Sequence, residues 1–219
     1  MESSCISLMH HKVGAQCISM KVNKLYPVDV FEFQFSTEED WVSRVQKQKL
    51  DQRNETGILN TWLELHKVEG FEPMVDFFHE CLDEIQDTWN YDCDGFKVTS
   101  MWANYYRPGV RHTAHRHANS YWSGILYLTD GAPTVFYDPI QMRSFGQFEL
   151  YTKPTISTEG FNQNAPVFET ISAEAGKCII FPSWFVHDTA YAEEDRYTVS
   201  FNALPTGRIN DGIANIRVL

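Results

Sequence analysis

From Asp94-Gly95 onward the chain is written as eight short runs rich in valine, isoleucine and aromatic residues: FKVTSMWANYY, SYWSGILYL, PTVFYD, GQFELYT, PVFETIS, GKCIIFP, WFVHDTAY and RYTVSFNALP, separated by glycine, proline and acidic turns. Eight strands of this kind suit two sheets curled face to face, a jelly roll, whose mouth can hold a metal where strands from both halves supply ligands. Upstream the text differs. LYPVDVFEFQF, from Leu25, alternates as a strand does, with Val28, Val30, Phe33 and Phe35 set among polar residues. Ser36-Thr37-Glu38-Glu39 reads as a capping box opening a helix through about Gln52. A second helix is expected from about Pro73 to Trp89, where Met74, Phe77, Phe78, Cys81, Leu82, Ile85 and Trp89 recur at spacings of three and four and form a core stripe. The fold class expected is therefore mainly β with flanking helices: a double-stranded β-helix (jelly roll) buttressed by two or three N-terminal helices. No repeat, low-complexity run or linker interrupts residues 21–219, which read as a single domain with the jelly-roll core at about 95–203. Residues 1–20 show neither period and read as an extension without a clear fold role; Met20 is an alternative start, and the adjacent His10 and His11 read as loop or tail.

Within the β-rich part, three histidines and an arginine carry the chemistry. Alternate residues of an extended strand point to one face about 6.5 Å apart, so His115 and His117 can converge on one ion and His187, from a distant strand, can close the set. Imidazole suits iron, zinc, copper and nickel alike, so the ligands alone do not select the metal. Arg196 narrows the choice: a guanidinium beside an open metal site matches a bound carboxylate in a two-pronged hydrogen-bonded pair. The bland alternative for Arg196 is a structural ion pair with a nearby acid. Glu193-Glu194-Asp195 reads as the polar turn that folds Arg196 back beside the strand of His187. Parity puts Asn104 with Tyr106 on one face, Ser123 with Ile125 and Tyr127 on another, and Arg196, Thr198, Ser200 and Asn202 on a third. His112 has the opposite parity to His115 and reads as a strand or turn residue, while His66 and His79 need no functional role.

Charge and cysteine usage narrow the setting. Eighteen basic residues against 29 acidic ones give a net charge of −11, which argues against nucleic acid and anionic lipid as partners. The five cysteines are odd in number, widely spaced and without a C-x-x-C pair, as expected of free thiols in a reducing compartment that suits ferrous iron. With no signal peptide pattern and no stretch of the roughly 18 apolar residues a membrane span needs, the expectation is a cytoplasmic protein, in the host cytoplasm if phage-encoded.

These residues resemble a family. Asn104-Tyr105-Tyr106-Arg107-Pro108-Gly109, five residues, then His115-x-His117 is similar to the N-x-Y-x-P-G-x5-H-x-D pattern of the 2-oxoglutarate and Fe(II)-dependent oxygenases, notably the nucleic-acid demethylases among them. Tyr127-Leu128 is similar to the tyrosine strand of the prolyl hydroxylases. Gly176 to Pro182 resembles the approach to the distal histidine, and Arg196-x-Thr198 resembles the R-x-S/T element. The resemblance covers roughly residues 95–203. A weaker likeness from Leu25 onward is to a branch of 2OG-Fe(II) oxygenases common in phage and marine bacteria, with an H-x-H and an S-G-x-x-Y-L strand. Carried over, it implies that His115 and His187 bind Fe(II), that Arg196 and Tyr127 hold the far carboxylate of 2-oxoglutarate with Thr198 assisting, and that Asn104 and Tyr106 bind at or near its metal-chelating end. It further implies hydroxylation of a substrate with O2 and decarboxylation of 2-oxoglutarate to succinate.

The departure is His117, where the family has aspartate. Three readings stand: His117 is the third ligand, it backs the site while water fills the position, or an acid such as Asp138 or Asp188 substitutes. For the function, the alternatives are a cupin-type metal enzyme that takes no 2-oxoglutarate, and a non-catalytic anion- or sugar-binding jelly roll. Gly109-x5-His115-x-His117 matches the first half of the cupin motif, but the cupin glutamate is missing, since Tyr121 and Trp122 stand there. A small-molecule or peptidyl substrate is expected, its identity set by loops such as Asp138–Phe148 and Thr152–Pro166.

Overall fold

The structure, a computed structural model, describes residues 28–52, 56–139, 168–210 and 216–218. The expected strand GQFELYT, the extension 1–20, and the loops beyond residue 139 lie outside the described residues.

Two sheets face each other. The larger is built on β4 (Gly95–Tyr106) and β10 (Arg196–Ile209), antiparallel neighbours along almost their whole length. It continues through β5 (Trp122–Tyr127), β8 (Lys177–Pro182) and β1 (Phe31–Gln34) on one side. On the other side lie β3 (Leu59–Asn60) and β2 (Asp51–Gln52), and β11 (Ile216–Val218) pairs with the far end of β10. The smaller sheet runs β7 (Phe168–Ala173), β6 (Gly131–Tyr137), β9 (His187–Thr189). This is the double-stranded β-helix. Seven of the eight expected strand segments are thus strands or contain one.

Two cores follow from the alternation of side chains. Residues of the larger sheet that face outward, among them Met101, Ala103, Leu126, Cys178, Ile180, Val199, Phe201 and Ala203, pack on Met74, Phe78, Cys81, Leu82 and Ile85 of α2 (Glu72–Trp89). Phe78 stacks on Phe201 with ring centroids 4.2 Å apart. Each fully buried Val, Leu, Ile, Phe or Met among them contributes about 1.5–3 kcal/mol, which makes α2 a buttress held by packing. Inward-facing Ile125, Tyr127, Ile179 and Phe181 meet Phe136, Ala173 and Phe185 between the sheets.

One irregularity sits in the middle of the pair β4–β10. Asn202 faces Ser100 while Ala203 faces Val98, so Thr99 is an extra residue, a bulge whose hydroxyl donates to the carbonyl of Asn202 (3.2 Å). It lets Phe96 and Val98 share the helix-facing side with Met101 and Ala103 although their sequence parities differ.

The first helix departs from expectation. α1 spans only Trp41–Gln46, and its cap is Asp40, whose carboxylate accepts from the backbone N–H of Ser43 (3.0 Å) and not a side chain of the Ser36–Glu39 box. Trp41 and Val45 supply its buried face; the next positions on that face are Gln48 and Lys49, which have nothing to bury. The chain therefore leaves the helix, and Asp51–Gln52 pairs as a strand with Leu59–Asn60. Nor does the acidic turn bring β10 beside β9. β9 pairs with β6 in the smaller sheet, β10 with β4 and β5 in the larger, and Asp195 instead accepts from Tyr105 Oη (2.9 Å). Among the described residues no helix is long and apolar enough to cross a membrane.

Candidate metal centre and anion pocket

His187 projects from β9 between the sheets and is buried. His115 and His117 belong to no strand. The segment carrying them is irregular, and an antiparallel bridge, His115 N–H to His187 O (2.9 Å) and His187 N–H to His115 O (3.0 Å), ties it to β9, backed by His112 N–H donating to Thr189 Oγ1 (2.9 Å). His117 is tethered separately, its N–H donating to Ser183 O (2.9 Å). Strand parity was thus the wrong reason for a convergence that these tethers produce: the candidate ligand atoms of His115, His117 and His187 lie within 4.8 Å of one another. This is the one such group among the described residues, and no carboxylate joins it. The Asp188 carboxylate accepts from Tyr137 Oη (2.6 Å). His112 lies outside the group, its ring tilted against that of His115 with centroids 3.9 Å apart.

The donor set fits a metal ion. Burial, then the neighbouring imidazoles, push the pKa of His115 down to about 2; burial chiefly pushes that of His187 down to about 4; burial also lowers that of His117. Three neutral imidazoles are the form that ligates. His115 Nδ1 donates to Thr113 O (2.8 Å) and His187 Nδ1 to Phe185 O (2.9 Å), because carbonyl oxygens only accept; Nε2 of each ring keeps its lone pair.

The three faces expected from parity are one. Because Thr198 lies opposite both Asn104 and Tyr127, and Arg196 opposite Tyr106, the residues Asn104, Tyr106, Tyr127, Arg196, Thr198 and Ser200 line a common inner surface. Arg196 is 1% exposed, and Nε, Nη1 and Nη2 all lack a hydrogen-bond partner. Its guanidinium carbon lies 4.6 Å from the centre of the Tyr106 ring and 5.5 Å from that of Tyr127. No structural ion pair among the described residues accounts for it. The Tyr127 hydroxyl shares a hydrogen bond with Thr134 Oγ1 (2.7 Å). Asn104 is fully engaged: its Oδ1 accepts from Asn60 (2.7 Å), and its Nδ2 donates to Thr198 Oγ1 and Ser200 Oγ (3.0 Å each). Thr198 and Ser200 therefore keep their own hydroxyl protons for another acceptor. Neither Ser200 nor Asn60 was assigned a part from sequence; Ser200 continues the alternation from Arg196 and was legible that way, whereas Asn60 lies in a two-residue strand without a signal.

Solved structures with this architecture include a prolyl hydroxylase and enzymes that bind or depend on 2-oxoglutarate. The chain is similar to a Pseudomonas putida prolyl-4-hydroxylase (15% identity, 80% of this chain and 92% of that one, TM-score 0.55). It is similar to HygX from Streptomyces hygroscopicus, solved with nickel and 2-oxoglutarate (12%, 82% and 84%, TM-score 0.57). It is also similar to SnoN, a non-heme α-ketoglutarate-dependent epimerase from nogalamycin biosynthesis (10%, 85% and 83%, TM-score 0.59). No curated protein matches the sequence. The fold is the one these 2-oxoglutarate-dependent enzymes share. Residues 100–202 match the model of the family described as "Putative 2OG-Fe(II) oxygenase".

Proposed function

We propose that the protein is a dioxygenase that hydroxylates a small-molecule or peptidyl substrate, consuming O2 and 2-oxoglutarate and releasing succinate and CO2. The observation that carries this reading is Arg196: a guanidinium with three unpartnered nitrogens in a buried pocket is costly unless an anion completes it. A metal enzyme that takes no 2-oxoglutarate leaves that charge unexplained.

In this reading His115, His117 and His187 hold Fe(II), which when bound supplies the activation of O2. Arg196 receives the far carboxylate of 2-oxoglutarate, flanked by the Tyr127 and Thr198 hydroxyls, in a site walled by the Tyr106 and Tyr127 rings that keep water out. Asn104 acts through Thr198 and Ser200, whose oxygens it binds so that their protons point to the ligand, while Tyr106, expected at the chelating end, lies against Arg196 instead. The protein's share is thus orientation and charge stabilisation. The net charge of −11 disfavours a nucleic-acid substrate, and the buried free thiols of Cys81 and Cys178 suit the reducing cytoplasm. The similar structures include both a hydroxylase and an epimerase, so the fold alone does not select the outcome.

The test is anaerobic addition of Fe(II) and 2-oxoglutarate to the purified protein. A visible charge-transfer band, followed by succinate release coupled to O2 uptake on exposure to air, is expected. Arg196→Ala should lose both. A protein that binds the metal yet neither develops the band nor turns over 2-oxoglutarate would sink the proposal.

A further inference from the structure

We infer that Asn202 is a positioning residue for the metal centre: its side-chain oxygen accepts the Nδ1 proton of His117 and so holds that ring in the tautomer that offers Nε2 to the ion. The inference rests on the proposed role of His117 as third ligand.

The need arises from the chemistry of the substitution. A carboxylate ligand is unprotonated at neutral pH and offers two equivalent oxygens. A neutral imidazole carries one proton on either of two nitrogens, and only one arrangement leaves the inward nitrogen free. For His115 and His187 the choice is made by backbone carbonyls two residues earlier in the chain, Thr113 and Phe185. His117 has no such local acceptor. Its Nδ1 lies 2.7 Å from Asn202 Oδ1, a side chain 85 positions away on another strand.

Three further features aim Asn202. The bulge at Thr99 falls at Asn202 in the β4–β10 ladder and ties down its carbonyl; bulges bend a strand and redirect the side chains beside them. Ser123, its neighbour across β5, donates to the same Oδ1 (2.8 Å). The Ser123 hydroxyl lies 2.8 Å from that of Ser183, which donates to Ser120 (2.8 Å), and the Ser183 carbonyl is the group that receives the His117 backbone N–H. Backbone and ring of His117 are thus anchored to one polar cluster. The Trp102 ring, 5.7 Å from that of His117, limits the room on its flank.

Two measurements on the full-length protein test this. In metal-free protein labelled with 15N-histidine, long-range 1H–15N correlation should show His117 protonated at Nδ1, and Asn202→Leu should shift it toward Nε2–H while Asn202→Asp keeps Nδ1–H. Co(II) titrations followed by absorbance should show Asn202→Leu weakened about 10–100-fold, with Asn202→Asp no weaker than wild type. Nε2–H at His117 in the wild type overturns the inference without any variant, so loss of folding in one variant does not shield it. Unchanged tautomer and affinity in Asn202→Leu also overturn it. His117→Ala is titrated alongside. If it binds Co(II) as tightly as wild type, the third-ligand reading fails and takes this one with it; if it is weakened while Asn202→Leu is not, only the role of Asn202 falls.

Discussion

A buried cation without a partner destabilises the fold that contains it, and among the described residues Arg196 has none. Arg196→Met, which keeps much of the volume and removes the charge, is therefore expected to stabilise the protein free of metal and 2-oxoglutarate, by on the order of 1–4 kcal/mol, and to abolish the rise in thermal midpoint that 2-oxoglutarate gives the wild type. Thermal unfolding with and without 2-oxoglutarate decides it; a destabilised ligand-free variant would mean that the guanidinium has an internal partner. At this scale the sequence is legible where the signal is local. Arg196-x-Thr198 announces itself by strand alternation, whereas His115-x-His117 converges on His187 although it lies on no strand. The engagement of Asn104 with Asn60, Thr198 and Ser200 is not legible, because each partner is remote in the chain and brought close by strand pairing.

Among the elements, β5 shows how tightly the helix-facing core is set. Gly124 lies opposite Phe201, and a Cβ placed there would stand 2.2 Å from Phe201 Cε1. Gly124→Ala must therefore push Phe201 off its stack with Phe78, and a loss of about 1–3 kcal/mol is expected in urea unfolding, part of it recovered when Phe201→Leu is added. A second prediction concerns the bulge. Removing Thr99 leaves Val98 facing the helix and Ser100 facing inward, as in a regular ladder, so the deletion is expected to fold. It should nonetheless weaken Co(II) binding, by turning Asn202 away from His117. The strands were readable because valine, isoleucine and aromatic runs between turn residues leave few alternatives, and α2 because its apolar stripe is long. The limits of α1 were not, since its length depends on where burial stops; and the bulge was invisible because one inserted residue changes parity without changing composition.

For the whole molecule, the three depressed imidazole pKa values set an acid limit. A histidine whose folded pKa lies below its unfolded value near 6.5 leaves the unfolded chain binding more protons between the two, so stability rises with pH there. Stability is full above about 6.5 and is lost as pH falls toward about 4, where His187 titrates, with His115 contributing further down toward about 2. The urea midpoint of metal-free protein should drop between about pH 7 and about pH 5, and the drop should shrink in His115→Phe. The bridge between His115 and His187 has a mechanical consequence too. The segment bearing two of the imidazoles leans on the smaller sheet through that bridge and the bond from His112 to Thr189, and on the larger through Asn202 and Ser183, so an ion seated among the three rings would act as a rivet across the open rim of the barrel. Chelation should then let amides near residues 115, 117 and 187 exchange their hydrogens freely while those joining β4 to β10 stay protected: a lip that loosens around a body that does not.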